Sequence, residues 1–208
     1  MFPERLSKGY RAFLDGRFKE ERGRYAVLAD SGQAPSIMVI GCVDSRVSPE
    51  VIFDAAPGEI LVARNVANLV PRYDPGGGQH GASAALEFAV RALRVRHIVV
   101  LGHAFCGGIK AFASEDAPLT ESDFIGKWMS QIAPAADAIT TPKADWEAYL
   151  HQLEFASVEL SLRNLMTFPF VQAAVEKGEL ALHGAYFGVA SGKLLIRNEA
   201  SGAFEEVG

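Results

Sequence analysis

The sequence predicts an α/β fold in a single domain, 1–208, with a central, mainly parallel β-sheet and flanking helices. Two apolar, β-branched runs, at residues 37–40 and 97–101, are too short for helices and are typical of buried parallel strands. Helix-forming segments alternate with short apolar runs, as in folds built from β-α-β units. The 208 residues are enough for one domain with a sizeable core.

The N-terminal segment, residues 1–30, predicts a helical arm. It is dense in charge, and Gly16 or Gly23 is expected to break it into two helices. Its apolar residues recur at helical spacing: Leu6, Tyr10, Phe13, Leu14 and Phe18. An arm without a strand of its own packs on its own domain or on a partner subunit, and the sequence leaves both alternatives open.

Strands and helices alternate through the middle of the chain. A loop at 31–35 leads into the first strand, and Ser48 and Pro49 begin a short helix as N-cap and first helical residue. Residues 60–63 predict a second strand. Helices before and after the strand at 97–101 are expected at 82–93 and 107–112.

The C-terminal part predicts three helices and an antiparallel edge hairpin. The longest periodic segment, 144–166, is expected to be a core or subunit-facing helix. Another helix covers 123–132, and a third covers 170–177 with Gly178 as its C′ residue. The hairpin strands are expected at 180–187 and 193–197.

Composition and charge narrow the function classes. Twenty basic and 25 acidic side chains give a formal net charge of −5, which disfavours nucleic acid as a partner. The first 24 residues have no apolar core of a signal peptide, and no apolar run approaches a membrane span. A cytoplasmic location is therefore expected.

Chemically active residues follow two of the predicted strands at the point where each strand ends. Cys42, Asp44 and Arg46 follow the first strand, and His103 and Cys106 follow the strand at 97–101. If these strands are neighbours, the groups converge at the carboxyl edge of the sheet, where such folds bind ligands. Two thiolates and one imidazole favour zinc, and three protein ligands leave a tetrahedral position open, as in catalytic sites.

Two other interpretations of the cysteines compete with zinc. Cys42 and Cys106 are the only cysteines of the chain, and free cysteine is often an inert core residue. The two thiols could also pair with each other in one disulfide. A reducing cytoplasm disfavours that second alternative.

The two motifs together resemble the β-class carbonic anhydrases. The first is C-x-D-S-R, from Cys42 to Arg46, and the second is H-x-x-C-G-G, which ends at Gly107 and Gly108. Residues 57–59, 64–70 and 168–171 also look like that family. The resemblance covers roughly residues 33–197 and implies an enzyme of that family's fold.

The resemblance implies reversible hydration of CO2 to bicarbonate and a proton, with one Zn²⁺ per chain on Cys42, His103 and Cys106. Asp44 and Arg46 lie two residues apart, so in extended backbone they would project to the same side and form a bidentate pair. Asp44 would then accept a hydrogen bond from zinc-bound hydroxide and orient it toward CO2. Alone, such a pair is often only a loop salt bridge.

The resemblance also implies a substrate pocket shared between subunits. Gln33, Leu61 and Phe88 occupy positions like those of pocket residues in plant-type members, beside Gly107 and Gly108, although Leu61 replaces the usual Phe. In that family, Gln and the aromatic residue come from the neighbouring subunit. A homo-oligomer, dimer or tetramer, with the active site at the interface is therefore expected. His80 is a candidate proton relay.

Two other functions compete with CO2 hydration. Related folds hydrolyse CS2 or COS with the same zinc ligands, and the motif residues do not distinguish these linear, apolar substrates from CO2. The third possibility is a non-enzymatic, zinc-stabilised inorganic-carbon sensor. Loss of Asp44 or Arg46 would favour it, and both residues are present.

The fourth zinc position is expected to be open near neutral pH. Family members under bicarbonate control use a Trp–Arg–Tyr set to hold the regulatory anion, and this chain has Val39, Arg64 and Phe187 at those positions. Val39 and Phe187 offer no donor, so a buried anion would be poorly paired. We therefore expect Asp44 to pair with Arg46 instead of zinc.

Overall fold

A six-stranded sheet forms the centre of the computed structural model, which describes residues 1–76, 81–114, 120–121 and 124–207. The order across the sheet is β2-β1-β3-β4-β5-β6; β1 to β4 pair in parallel, and β5 and β6 add antiparallel edge strands. The mainly parallel sheet and its edge hairpin are thus confirmed. The strands are β1 (Ile37–Cys42), β2 (Ile60–Asn65), β3 (His97–His103), β4 (Ala181–Phe187), β5 (Leu194–Arg197) and β6 (Phe204–Glu206).

Helices flank the sheet along most of the described chain. Short 3-10 turns cover Val66–Asn68 and Ser130–Ile132. The α-helices are α1 (Glu4–Asp15), α2 (Arg17–Ser31), α3 (Pro49–Ile52), α4 (Gly81–Glu87), α5 (Gly107–Ala113), α6 (Phe124–Met129), α7 (Ala133–Ala136), α8 (Trp146–Leu165) and α9 (Pro169–Glu176). The described residues include no helix that is long and apolar enough to cross a membrane.

The central strands are apolar along their length because both faces of the sheet are covered. Met38 and Ile40 of β1 and Val100 of β3 point into a large core with α8 and α9. Val39 and Leu101, which alternate with them, lie in a smaller cluster. All five side chains are nearly inaccessible to water.

The parallel pairing of β1 with β3 brings the two sequence motifs together. Gly41 lies opposite Leu101, so Cys42 ends one strand close to the point where His103 ends its neighbour. The prediction that these strands are neighbours is confirmed. Cys106 follows after a short turn and is the N-cap residue of α5.

Three local features differ from the sequence prediction. The helix expected over 82–93 is α-helical only to Glu87 and continues as a π-helix, Phe88–Leu93, which is a rare form. Ser48 occupies the N-cap position, but its hydroxyl donates to the Glu50 carboxylate and no side-chain cap bond forms. Strand β6 was not predicted, since three residues carry too little pattern.

The N-terminal arm consists of α1 and α2, which meet at Gly16, one of the two predicted breaks. Neither helix has a buried residue. Phe2, Leu6 and Tyr10 are exposed apolar side chains on this arm. Packing of the arm on a partner subunit stays a prediction.

Two predictions fall on residues outside the described part of the chain. His80, the candidate proton relay, lies in the gap at 77–80. Asp123, the expected first residue of the helix at 123–132, lies in the gap at 122–123. The described part of that helix is α6 followed by a 3-10 turn.

Candidate metal centre

The predicted ligands Cys42, His103 and Cys106 form one buried group. Their ligand atoms all lie within 4.8 Å of one another. Their residues are only 4%, 1% and 2% exposed, respectively. The β1–β3 pairing supplies the first two side chains, and the turn after β3 supplies the third.

His103 is oriented for metal binding by its own backbone. Its Nδ1 lies 2.9 Å from the Ala104 carbonyl oxygen, an acceptor, so Nδ1 carries the proton. Nε2 is then left with a free lone pair, and it is a buried atom without a hydrogen-bond partner. A carbonyl on one nitrogen and a metal on the other is the usual arrangement of histidine ligands.

The two cysteines are free thiols, so the disulfide alternative is wrong for this structure. A hydrogen bond from Cys106 is the largest of the causes that lower the pKa of Cys42. The same contact raises the pKa of Cys106, because the Cys42 thiolate holds the Cys106 proton. The pair therefore provides one thiolate readily, and the second forms when a cation replaces the shared proton.

Backbone N–H groups point at both sulfur atoms. Ala67 donates to Cys42 Sγ over 3.3 Å. The N–H groups of Ile109 and Gly108 lower the pKa of Cys106 and so favour its thiolate. Such donors draw charge from a thiolate and tune the metal that it binds.

Asp44 and Arg46 form the predicted bidentate pair. Arg46 Nε donates to Asp44 Oδ1 over 2.9 Å, and Nη2 donates to Oδ2 over 2.7 Å. The predicted extended backbone is wrong, because the Val47 N–H bonds the Asp44 carbonyl and closes a turn. This turn also lets the Arg46 N–H reach Oδ1.

The pairing keeps Asp44 ionised. Hydrogen bonds from the Arg46 side chain hold the pKa of the Asp44 carboxyl well below its usual range. Arg46 Nη2 also donates to the carbonyl of Phe105, which lies beside Cys106 in the second motif. One guanidinium thus connects the two motifs and fixes the direction of the carboxylate.

Arg64 is engaged with the backbone of the first motif. Its Nε donates to the Cys42 carbonyl and its Nη2 to the Asp44 carbonyl, each over 2.7 Å. Both donors come from β2, the neighbour of β1. Arg64, which the sequence suggested only as one member of an anion site, therefore holds the loop that carries Cys42 and Asp44.

Glu154 is a site residue that sequence reasoning missed. This carboxylate is 5% exposed; it accepts the Cys106 N–H over 3.1 Å and the Tyr186 hydroxyl over 2.5 Å. The pKa of Glu154 is raised, and the largest cause of this shift is burial of the carboxylate away from water. An acidic residue beside Leu153 on the buried face of α8 was the only available signal.

Two clefts open beside the ligand group. One, of about 430 Å³, is lined by residues next to the first motif, including Val43, Arg64 and Trp128. The other, of about 650 Å³, reaches Cys106 and is lined by Phe105, Lys110, His151, Glu154 and Tyr186 among others. The second cleft therefore gives small molecules an approach to Cys106.

The remaining predicted pocket residues do not join the ligand group within this chain. Gln33 and Phe88 are exposed, Phe88 to 46%. Leu61 packs against the large core beneath the sheet, opposite Met38 of β1. Their role in a pocket stays a prediction, which requires a neighbouring subunit.

Comparison with known proteins identifies the family. A model of the carbonic anhydrase family matches residues 37–194. Beta carbonic anhydrase 3 of Arabidopsis thaliana is 39% identical over 194 residues, which cover 91% of this chain and 74% of that protein.

Two solved structures share the whole architecture. The β-carbonic anhydrase CcaA superimposes with a TM-score of 0.86 at 27% identity, covering 99% of this chain and 92% of that one. A chain from the crystal structures of two tetrameric β-carbonic anhydrases of Sordaria macrospora gives a TM-score of 0.77 at 29% identity, covering 92% of this chain and 94% of that one. The Cys42–His103–Cys106 group has the composition of a catalytic zinc site. This chain belongs to the β class of the carbonic anhydrases, which are zinc enzymes that hydrate CO2.

Proposed function

We propose that this chain catalyses the reversible hydration of CO2 to bicarbonate and a proton, with zinc held by Cys42, His103 and Cys106. One observation carries the proposal: a buried Cys–His–Cys group lies at the same sheet edge as an ionised Asp44 that Arg46 fixes in place. Three ligands leave one tetrahedral position for a reacting molecule.

The donor set fits zinc on the chemistry of this chain's own residues. His103 presents a buried, unpaired Nε2, and the Cys106 thiol shares its proton with the Cys42 thiolate, a proton that a bound cation would replace. Zinc, when bound, acts as a Lewis acid that lets water lose a proton near neutral pH. Two thiolates cancel the formal charge of the ion. Hydrogen-bond donors to the sulfur atoms therefore affect how strongly the ion would acidify bound water.

Asp44 provides the orienting contact. An ionised carboxylate can only accept hydrogen bonds, so Asp44 holds the O–H of the attacking molecule and leaves an oxygen lone pair for the carbon of CO2. Arg46 keeps the carboxylate charged and prevents its rotation through the bidentate contact. Arg64 donates to the Asp44 carbonyl and so fixes the backbone at Asp44.

The pocket and the oligomer are proposed together. Gln33 and Phe88 are exposed on this chain, and the Sordaria relatives are tetrameric. A homo-oligomer, dimer or tetramer, with Gln33 and Phe88 of one subunit beside the zinc ligands of another would complete an apolar pocket for CO2. The arm formed by α1 and α2, which has no buried residue, then packs on the partner subunit.

A cytoplasmic location is part of the proposal. Zinc binding requires Cys42 and Cys106 to remain reduced, and both are free thiols here. A reducing compartment keeps such thiols from pairing. Fractionation of cells that express the tagged chain tests this location.

Stopped-flow CO2 hydration by the purified, zinc-loaded protein tests the function. We expect turnover that follows the zinc content, and loss of both in Cys106→Ser. Ser45→Ala, which changes the same motif but no ligand, is the matched control and should retain zinc and most of the activity. A zinc-loaded protein that does not accelerate CO2 hydration would overturn the proposal.

The same assay separates the competing functions. COS and CS2 are supplied as alternative substrates, and release of sulfide is measured. Faster turnover of either compound than of CO2 would identify a hydrolase on the same scaffold. A protein that binds zinc but turns over none of the three would support the sensor alternative.

A further inference from the structure

A left-handed turn next to Cys42 stands out in the backbone. Ala67 has φ 63° and ψ 28°, and Asn68 has φ 49°. Residues with a Cβ rarely adopt this conformation, because it crowds the side chain against the backbone. Two in succession persist only when the surroundings determine them, and such strained backbone clusters at functional sites.

Side chains from three parts of the chain hold this turn. Asn65 spans it, since its Nδ2 donates to the Leu69 carbonyl and its Oδ1 accepts the Leu69 N–H, each over 2.8 Å. Ser161 of α8 donates to the Asn68 carbonyl. Trp128 of α6 donates from its indole Nε1 to the Val66 carbonyl over 2.8 Å.

Packing fixes the turn from the side of the second motif. A Cβ atom at Gly108 would lie 2.8 Å from Val66 Cγ1 and 3.3 Å from Ala67 Cβ. Gly108 thus lets the residues after Cys106 approach the turn closely. The turn is therefore confined between the two motifs.

The turn presents one group to the metal centre, the Ala67 N–H. It donates to Cys42 Sγ, and Ala67 is wholly buried. The Val66 carbonyl that Trp128 holds belongs to the peptide unit whose N–H is that of Ala67. The indole contact and the bond to sulfur therefore act on opposite ends of one rigid peptide plane.

We infer that Trp128 is a positioning residue of the zinc centre, acting through the Val66–Ala67 peptide on the Cys42 thiolate. Its indole N–H fixes the tilt of the peptide plane, and the plane aims its own N–H at Cys42 Sγ. Loss of the indole donor lets the peptide rotate and weakens the N–H···S bond. Cys42 then donates more charge to the metal, and the metal polarises water less.

The inference rests on the proposed zinc centre, and its readout does not require CO2 hydration. The protein is loaded with Co²⁺ in place of zinc, and the thiolate-to-cobalt charge-transfer band is recorded. A more electron-rich Cys42 sulfur moves this band to lower energy. We expect the shift in Trp128→Phe and not in Trp146→Phe, a matched control whose ring stacks on Tyr149.

A second variant separates the hydrogen bond from the shape of the ring. The chain has two tryptophans, so Trp128 is the only one in a Trp146→Phe background. Biosynthetic replacement of that residue by benzothienylalanine keeps the bicyclic shape and removes the N–H. We expect the band to shift as in Trp128→Phe, and kcat/KM for CO2 of the zinc form to fall about tenfold.

Two outcomes would overturn the inference. The first is a band that stays at the wild-type energy in both Trp128 variants. The second is a band that moves in Trp128→Phe but stays in the benzothienylalanine protein, which would give the effect to ring packing. A shifted band without CO2 hydration in the parent protein would support the inference and refute only the proposed function.

Discussion

At the scale of single residues, Asp44 is the side chain whose charge carries the proposed orientation of the attacking molecule. Asp44→Asn keeps the shape but loses the full charge that binds Arg46. We expect CO2 hydration to fall by about 10²–10⁴-fold, the usual effect of removing such a group, with zinc retained. Stopped-flow rates and metal analysis on the same sample measure both.

The control for Asp44→Asn is Asp30→Asn, which makes the same chemical change at an exposed position. It should leave activity unchanged. Near wild-type activity in Asp44→Asn would mean that Asp44 serves only as a structural partner of Arg46. Because the pKa of Asp44 is held low, its ionisation should not shape the activity profile between pH 6 and 9.

The thiol pair predicts a pH dependence of zinc binding. The Cys42 thiolate raises the pKa of Cys106, so without metal Cys106 carries a proton at neutral pH. Zinc displaces it, and we expect about one proton released per zinc and an affinity that rises with pH. Calorimetry in buffers of different ionisation enthalpy measures the release. No release at pH 7 would contradict the shared proton.

The sequence predicted those parts of the site whose chemistry depends only on the type of side chain. The donor atoms of three residues indicate a metal site, and the structure brings these residues together as one group: Cys42, His103 and Cys106. The N–H of Ala67 and the carboxylate of Glu154 were not predicted. The first is a backbone group whose aim depends on φ, and the second contacts Cys106 across 48 positions.

At the scale of elements, α8 supports the metal centre through Glu154. Glu154→Ala leaves the N–H of Cys106 and the hydroxyl of Tyr186 without their buried acceptor. We expect the free energy of unfolding to fall by about 2–5 kcal/mol, since unpaired buried donors and a small cavity each cost stability. Urea denaturation measures the change.

The matched control on the same helix is Glu147→Ala, an exposed carboxylate in the first turn of α8. Its loss should cost no more than about 0.3–1 kcal/mol, from the helix dipole. Equal destabilisation by the two substitutions would show that Glu154 has no special structural role. Glu154→Gln, which keeps an acceptor for the Cys106 N–H, should lie between them.

Elements with a strong pattern were predicted correctly, and those decided by distant contacts were not. The runs at 37–40 and 98–101 mark β1 and β3 because a short, fully apolar segment fits a sheet covered on both faces. The π-helical turn after Glu87 has no local signal, since its residues suit an α-helix equally well. Strand β6 depends on pairing with β5.

The positions that correspond to a bicarbonate-control site lack the groups to hold an anion. Val39 is buried among apolar side chains, and Arg64 already binds the carbonyls of Cys42 and Asp44. We expect bicarbonate to inhibit only weakly and without cooperativity. Inhibition curves that require a Hill coefficient above one would contradict this prediction.

At the scale of the whole molecule, the exposed arm predicts association. Phe2, just before α1, and Leu6 and Tyr10 of α1 expose apolar surface, and α1 has no buried residue. We expect light scattering to give a mass of two or four times 22.4 kDa, and Leu6→Asp with Tyr10→Asp to lower it. Exchange of the exposed Glu4 for Asp is the control. A single-chain mass with full activity would contradict the shared pocket.

Zinc-dependent hydration of CO2 by the Cys42–His103–Cys106 centre is the central claim, and one measurement tests it most directly. Stopped-flow CO2 hydration is recorded on the purified protein, on the same protein after chelation of its metal, and after zinc is returned. We predict one zinc per chain, loss of activity on its removal and recovery on its return. Activity that persists without zinc, or zinc restored to full occupancy without activity, would contradict the claim.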